Sequence, residues 1–380
     1  MSDPRPTVGV LPRGKVSIEV ETLNEQFAQA VRNVTVSGDK RDRAVAAHTG
    51  VRELLEADAE LTDWGIDTLL IGSYARQTAR YPGKDVDVFL RFTNLSVRHS
   101  PQKIFDAVER VLVAEYGLED HGQGGRITRQ SRSLKIDFPD PEDHFSVDAF
   151  AIDAVPAVPW GDHWAIPNRD RDKWDNDEKR WIKTNPVQFA ADTNTLAVAA
   201  WSPVVGTTNA YRPVARLLRQ ARHVHLGSQR PGGLFIEIAG YYAWKDGLVT
   251  GSTWAELLAS TFEHVAERLA GSAEGGLLDP VLNTPLKPEL DHWQWNSAAQ
   301  TFERLAPEAR DALDAEKCRA AKMWRDILGD NERGAVLPLP EGCDAAGFPI
   351  GSVTAVGALG SDQPRGFALP PCRRRAPLDP

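Results

Sequence analysis

Sulfur is scarce in this chain of 380 residues, which has three cysteines and two methionines. Cys318, Cys343 and Cys372 stand too far apart for a Cys-x-x-Cys pair and are odd in number. Neither a zinc site nor a disulfide framework is expected, and a reducing cytoplasm is the expected setting. Nowhere is there a run of about eighteen apolar residues, the length needed to span a bilayer. The opening MSDPRPTVGVLPRG also lacks the apolar stretch of a secretory signal. A cytoplasmic protein without membrane contact is therefore expected. Positive charge is outnumbered, 44 Lys and Arg against 53 Asp and Glu. That balance argues against a broad nucleic-acid surface and fits small anionic substrates in a local basic cleft. The nine histidines show no HExxH or HxxxH spacing, and His223 and His225 are given no role.

The chain divides by composition. Residues 1–18 form a Pro- and Gly-rich segment expected to be flexible. Residues 19–185 mix helical and strand patterns, and 186–332 read as helices punctuated by Gly and Pro. Residues 333–380 turn to Pro, Gly and Ala and are expected to form a tail of low order. In the first lobe, Leu23, Phe27, Ala30, Val31 and Val34, then Ala44, Ala47, Val51, Leu54 and Leu55, recur at helical spacing. They predict two helices, or one broken near Ser37 and Gly38, packed behind the strands that follow. Strands are predicted for the apolar run from Asp67 to Ile71 and the alternating stretch from Lys84 to Phe92. Residues 101–117 read as a helix, and 133–138 with 144–157 as a hairpin about PDPED. Gly329 is placed to cap the last helix.

The chemistry lies in IGSYARQTARYPGKDVDV, residues 71–88. On a strand, side chains two apart share a face, so Asp85 and Asp87 point one way and Val86 and Val88 the other. Like charges about 4 Å apart repel by roughly 4 kcal/mol at an effective dielectric near 20, so such a pair calls for a compensating cation. Mg²⁺, or Mn²⁺, with its preference for oxygen ligands, is the natural one. Thirteen residues before Asp85, Gly72 and Ser73 stand where a strand meets a turn, and small residues there let backbone N–H groups approach phosphate oxygens. Two-metal phosphoryl transfer calls for a further carboxylate. In FSVDAFAIDAVPAV the candidates Asp148 and Asp153 are five positions apart and fall on opposite faces of a regular strand, so only one can join the pair unless a bulge intervenes.

The Gly-Ser, Asp-x-Asp and distal Asp pattern resembles the DNA polymerase β nucleotidyltransferase superfamily. More narrowly, GSYARQTARYPGKDVDVFLRF, IDAVPAV with WAIP and WIKTNP, LLDPVLN and AAKMWRDILGD, in that order, are similar to bacterial cGAS/DncV-like nucleotidyltransferases over residues 20–335. The resemblance implies an α/β fold of the α+β kind, bilobed, with a mixed sheet and N-terminal helices joined to a helical lobe like that of oligoadenylate synthase. It favours Asp153 as the further metal ligand beside Asp85 and Asp87, because Asp153-Ala-Val-Pro-Ala matches the family's Asp-x-x-Pro-Ala. It places Arg219 of RLLRQAR where relatives carry a triphosphate-binding Lys; the planar guanidinium need not keep the same phosphate geometry. Pro231-Gly-Gly-Leu-Phe-Ile-Glu237 departs from the Ser that relatives often carry shortly before this Glu. The implied activity is the joining of ATP or other NTPs into a cyclic di- or trinucleotide messenger of antiphage defence, which switches on an effector. A monomer with no nucleic-acid partner is implied. Linear synthesis, or nucleotide transfer to RNA or protein, is the alternative within the same fold.

Other residues carry two readings each. Trp160, Trp164, Trp174 and Trp181, with Tyr211, Tyr241 and Tyr242, could stack a base or pack between lobes. Arg76, Arg80 and Lys84 flank the phosphate turn and could hold phosphate or face solvent. Three arginines at 373–375 are expected to contact nothing.

Overall fold

The computed structural model describes residues 23–119, 124–139 and 149–351. The first lobe is built on a seven-stranded sheet. Its strands are β1 (Ile66–Leu70), β2 (Asp85–Phe92), β3 (Ile127–Arg129), β4 (Leu134–Phe138), β5 (Phe150–Trp160), β6 (His163–Pro167) and β7 (Trp181–Thr184). The order is β1-β2-β5-β4-β3, with β6 pairing β5 and β7. The β2 and β5 pair is parallel, and its neighbours β1 and β4 join antiparallel.

Helices α1 (Asn24–Asn33) and α2 (Asp39–Glu56) are separated by a break at Gly38, as their spacing predicted. They part company in space. Ala44, Val51 and Leu55 of α2 pack on the sheet with Val86, Val88 and Leu90. Phe27 and Ala30 of α1 instead join the helical lobe, where Phe27 meets Trp324 edge-on at 5.0 Å. The expectation that both helices back the sheet is corrected accordingly: amphipathic spacing fixes a buried face but not the partner that covers it. The sheet lobe is completed by α3 (Ala59–Asp63), the short α4 (Gly72–Ala75) and α5 (Pro101–Tyr116), which covers the same face as α2.

The second lobe contains α6 (Pro186–Leu196), α7 (Tyr211–Leu226), α8 (Gly233–Lys245), α9 (Trp254–Gly271), α10 (His292–Asp314) and α11 (Lys317–Leu328). Thr253 and Glu256 form a capping box at the start of α9. Gly329 ends α11 with φ of 57°.

Two expectations for the end of the chain are revised. Within the tail of low order expected over 333–380, Val336 and Leu337 are fully buried against the helical lobe. Cys318 and Cys343 form a disulfide, their Cα atoms 5.2 Å apart, because the segment after α11 folds back across it. A contact between residues 25 apart leaves no trace in cysteine spacing. Among the described residues, no helix is long and apolar enough to cross a membrane.

Candidate active site

The two faces of β2 divide the labour. Val86, Val88, Leu90 and Phe92 enter the core under α2 and α5, whereas Asp85, Asp87 and Phe89 face a cavity of about 1090 Å³ between the lobes. In the parallel register Asp87 lies directly opposite Asp153 of β5. Side chains at such paired positions share a face, and Asp153 lines the same cavity. The sequence left Asp148 open as an alternative; it falls outside the described residues.

The acids are electrostatically stressed. Burial, with Asp85 adding to it, raises the Asp87 carboxyl to about 6 even though Arg76, Arg219 and Arg132 pull it down. Burial, together with Asp87 and Asp85, raises Asp153 to about 7, against the pull of Lys135. Asp153 Oδ1 is buried and accepts no hydrogen bond from any described residue. Among the described residues, no three acidic, His or Cys side chains are already gathered as a ligand set. The aspartates are juxtaposed by register rather than drawn to one point, as uncompensated like charges should be. An oxygen-only group with an orphaned, buried acceptor suits a hard divalent cation.

Gly72 is fixed by the same packing. It has φ of 65°, and a Cβ built on it would stand 1.9 Å from Asp87 Oδ2. The turn is therefore pressed against the carboxylate, and only a residue without a side chain fits. Ile71 N–H donates to Asp87 O at 3.0 Å, tying the turn to β2. The Ser73 carbonyl accepts from Thr78 and Ala79 N–H at 2.8 and 3.1 Å, and Gly72 and Ser73 line the cavity.

Of the cations singled out in sequence, Arg80, Lys84 and Arg219 line the cavity. Arg76 lines it too, but the residue is 3% exposed and its guanidinium is committed to Glu237 of α8, Nε to Oε1 at 2.7 Å and Nη2 to Oε2 at 3.1 Å. Thr78 Oγ1 donates to the same carboxylate at 2.6 Å, and Arg219 Nη1 at 2.6 Å. Burial alone would raise Glu237, but Arg76 and Arg219 bring it down to about 2. Arg219 thus has one nitrogen anchored and is held by the lobe boundary.

The aromatic expectations fare differently. Trp174 and Trp181 are buried inside the sheet lobe, their indole N–H groups donating to Asn168 O at 2.7 Å and His99 O at 3.1 Å. Trp164 packs edge-on to Phe89 at 6.0 Å. None of the four tryptophans, nor Tyr211, Tyr241 or Tyr242, lines the cavity; Phe89 and Phe189 are its aromatic walls. His223 lines it as well, its ring held below the usual value by burial and by Arg80. Arg132 and Arg169, not among the residues expected from the sequence, enter the cavity from the β3–β4 turn and from the loop after β6. The Arg126, Arg129, Arg132 series was the available signal.

Residues 22–196 match the family model of the Second Messenger Oligonucleotide or Dinucleotide Synthetase domain. A curated relative, a cyclic AMP-AMP-AMP synthase of Acinetobacter sp., is 24% identical over 93% of this chain and 99% of its own length. Among solved structures, Bradyrhizobium diazoefficiens CdnG in complex with GTP aligns with a TM-score of 0.60 at 15% identity, covering 81% of this chain and 95% of that one. Escherichia coli CdnC with ATP gives 0.58 at 16% identity, over 83% and 98%. GTP-bound Vibrio cholerae DncV gives 0.51 at 17% identity, over 83% and 81%. The polymerase-β-like, bilobed α/β fold expected from the sequence is the fold of these proteins.

Proposed function

We propose that this chain is a nucleotidyltransferase of the cGAS/DncV-like kind and that it joins nucleoside triphosphates into a cyclic oligonucleotide. In each transfer a ribose hydroxyl oxygen forms a bond to an α-phosphorus as the bond to the bridging β-oxygen breaks. Pyrophosphate leaves, and the hydroxyl proton passes to solvent. The observation that carries this reading is the register of β2 and β5, which sets Asp153, with its orphaned Oδ1, beside Asp87 against the Gly72 turn.

Asp85, Asp87 and Asp153 would hold Mg²⁺ or Mn²⁺, which when bound neutralises triphosphate charge and acidifies the attacking hydroxyl. Gly72 and Ser73 let the β- and γ-phosphates lie close to the backbone, while Arg219, Arg80 and Lys84 supply compensating charge. Phe89 and Phe189 give the cavity apolar walls. The chain's own contribution is positioning and electrostatics.

The curated relative's name makes adenine nucleotides and a trinucleotide product the first to test. The role in antiphage defence, through a messenger-activated effector, rests on family likeness alone, as does a cytoplasmic location, where NTPs are abundant. The test is incubation with all four NTPs and Mg²⁺, phosphatase treatment and mass spectrometry. A phosphatase-resistant oligonucleotide is expected, and Asp85→Ala with Asp87→Ala should yield none. A product cut back by phosphatase would turn the reading to linear synthesis, and synthesis by the double variant would remove the carboxylate account.

A further inference from the structure

The chain returns to the cavity after its last helix. Beyond α11, Asp330–Asn331 pairs with Gly334–Ala335 in a tight hairpin whose tip, Glu332 and Arg333, is exposed. The tip sits on the loop that joins the Gly72 turn to β2. Arg333 lies over the Tyr81 ring at 3.6 Å and donates to Thr35 O at 3.1 Å, and Asn331 Nδ2 donates to Asn33 O at 3.0 Å. At the base of the hairpin, Gln220 Nε2 of α7 donates to Leu328 O at 2.8 Å and to Asp330 O at 3.1 Å, while its Oε1 accepts from Arg80 at 2.8 Å.

These contacts place Glu332 on the cavity wall at the end that also holds Gly72, Arg80, Arg219 and His223. Burial disfavours the charge on Arg80, and Glu332 is the carboxylate that offsets this. Among the described residues no ion pair joins the two, so the carboxylate acts through space. A negative charge held there competes with a triphosphate for the same cations. The hairpin also lies within the loop closed by the Cys318–Cys343 bridge. Beyond Leu337, Asp344 N–H donates to Phe348 O at 2.8 Å and Ile350 N–H to Gly342 O at 2.7 Å, bonds internal to the returning segment, and the bridge is its covalent tie to α11. Both cysteines are buried, but Glu341 and Gly342 beside Cys343 are exposed, which puts the sulfurs one local opening from solvent. In a reducing compartment such a bridge forms and breaks with the redox poise rather than persisting.

We propose that Cys318 and Cys343 form a reversible redox site that governs nucleotide affinity: the bridge holds Glu332 at the phosphate end, and its reduction frees the hairpin and admits the triphosphate. This rests on the placement of triphosphate against the Gly72 turn proposed above and adds its regulation. The oxidant is a low-molecular-weight disulfide. One cysteine thiolate attacks it and releases one thiol; the other cysteine then displaces the second thiol as the protein S–S bond forms. The protons and the electron pair lost by the two cysteines thus end on the two released thiols. Reduction by the same thiols runs the exchange backwards.

The experiment takes the full chain, oxidised with glutathione disulfide or reduced with dithiothreitol, and titrates it with Mg²⁺ and trinitrophenyl-ATP, whose blocked ribose hydroxyls cannot react. Circular dichroism checks that both states are folded. The reduced chain should bind about threefold to tenfold more tightly, the scale of one charge acting through a solvated cleft. The difference should shrink at about 1 M salt, which a purely structural effect of the bridge would not do. Glu332→Gln should bind tightly in both redox states, and Cys318→Ala with Cys343→Ala should match the reduced wild type and ignore the oxidant. A redox difference that Glu332→Gln keeps in full would overturn the proposal. So would a Kd that ignores the redox state, and if product still forms in the four-nucleotide assay, transfer stands without this control. A redox-dependent Kd with no product in that assay would instead remove the transfer reading and leave the redox site in place.

Discussion

Arg76 and Glu237, 161 residues apart in sequence, meet across the lobe boundary with Nε 2.7 Å from Oε1, and Glu237 is 1% exposed. Thr78 and Arg219 satisfy its remaining acceptor capacity. The pair couples the loop behind Gly72 to α8, and through Arg219 to α7. Removing one partner of a buried ion pair leaves the other uncompensated, which costs about 3–5 kcal/mol. Glu237→Ala should lower stability by that order in urea denaturation. The pH dependence has a definite sign. Because the folded carboxyl sits near 2, below its ordinary 4.5, its stabilisation is present above about 4.5 and is lost as pH falls towards 2. That part of the acid transition should be missing in Glu237→Gln.

Gly72→Ala tests the close packing of the turn on Asp87. The added methyl would have to displace Asp87 Oδ2 from 1.9 Å and hold a φ of 65°. A displacement of about 1 Å at a reacting centre costs on the order of 10²-fold in rate. Turnover should fall by that order while circular dichroism shows the fold retained. Wild-type activity in this variant would show that the turn does not fix the carboxylate.

What could be read from the sequence follows the range of the interactions. Period-two alternation in DVDVFLRF was enough to put Asp85 and Asp87 on one face and the valines on the other. Helical spacing found α1 and α2, yet not that Phe27 packs on Trp324 in the other lobe. Local pattern could not choose between Asp148 and Asp153, because the pairing of Asp153 with Asp87 belongs to a parallel register between strands more than sixty residues apart. Arg76 was read as a cation beside phosphate, and the carboxylate that claims it lies on a distant helix. Arg132 stood in a short basic series whose charges look alike in sequence. Folding pairs Arg129 with Glu109 and turns Arg132 into the cavity.

The Cys318–Cys343 link closes a loop between residues 25 apart and holds the segment with Val336 and Leu337 onto α11. Loop-closure entropy for such a span is worth about 3 kcal/mol. Dithiothreitol, or Cys318→Ala with Cys343→Ala, should lower the urea midpoint correspondingly, and the reductant should then have no effect on the double variant. A midpoint insensitive to reductant in the wild type would mean that the bridge adds nothing to stability.

Asp153→Asn separates the cost of the carboxylate from its use. In the metal-free chain the folded pKa of Asp153 is near 7 and that of Asp87 near 6, both above the ordinary 3.8. Between those values and 3.8 the folded state binds more protons than the unfolded one, so stability falls as pH rises from about 4 to 7. The isosteric, neutral Asn escapes this loss. Without metal, Asp153→Asn should therefore melt higher than the wild type, by more at pH 8 than at pH 5. Addition of Mg²⁺ should raise the wild-type melting temperature more at pH 8 than at pH 5, since the ion requires both carboxylates ionised, and should raise that of Asp153→Asn much less. Nucleotidyl transfer by the variant should fall by at least about 10²-fold, the scale of losing one electrostatic contact made in the transition state. A variant that melts like the wild type at both pH values, and responds to Mg²⁺ equally, would show that Asp153 is neither stressed nor a ligand. A stabilised but inactive variant would mark a residue retained at the expense of the fold for the reaction it serves.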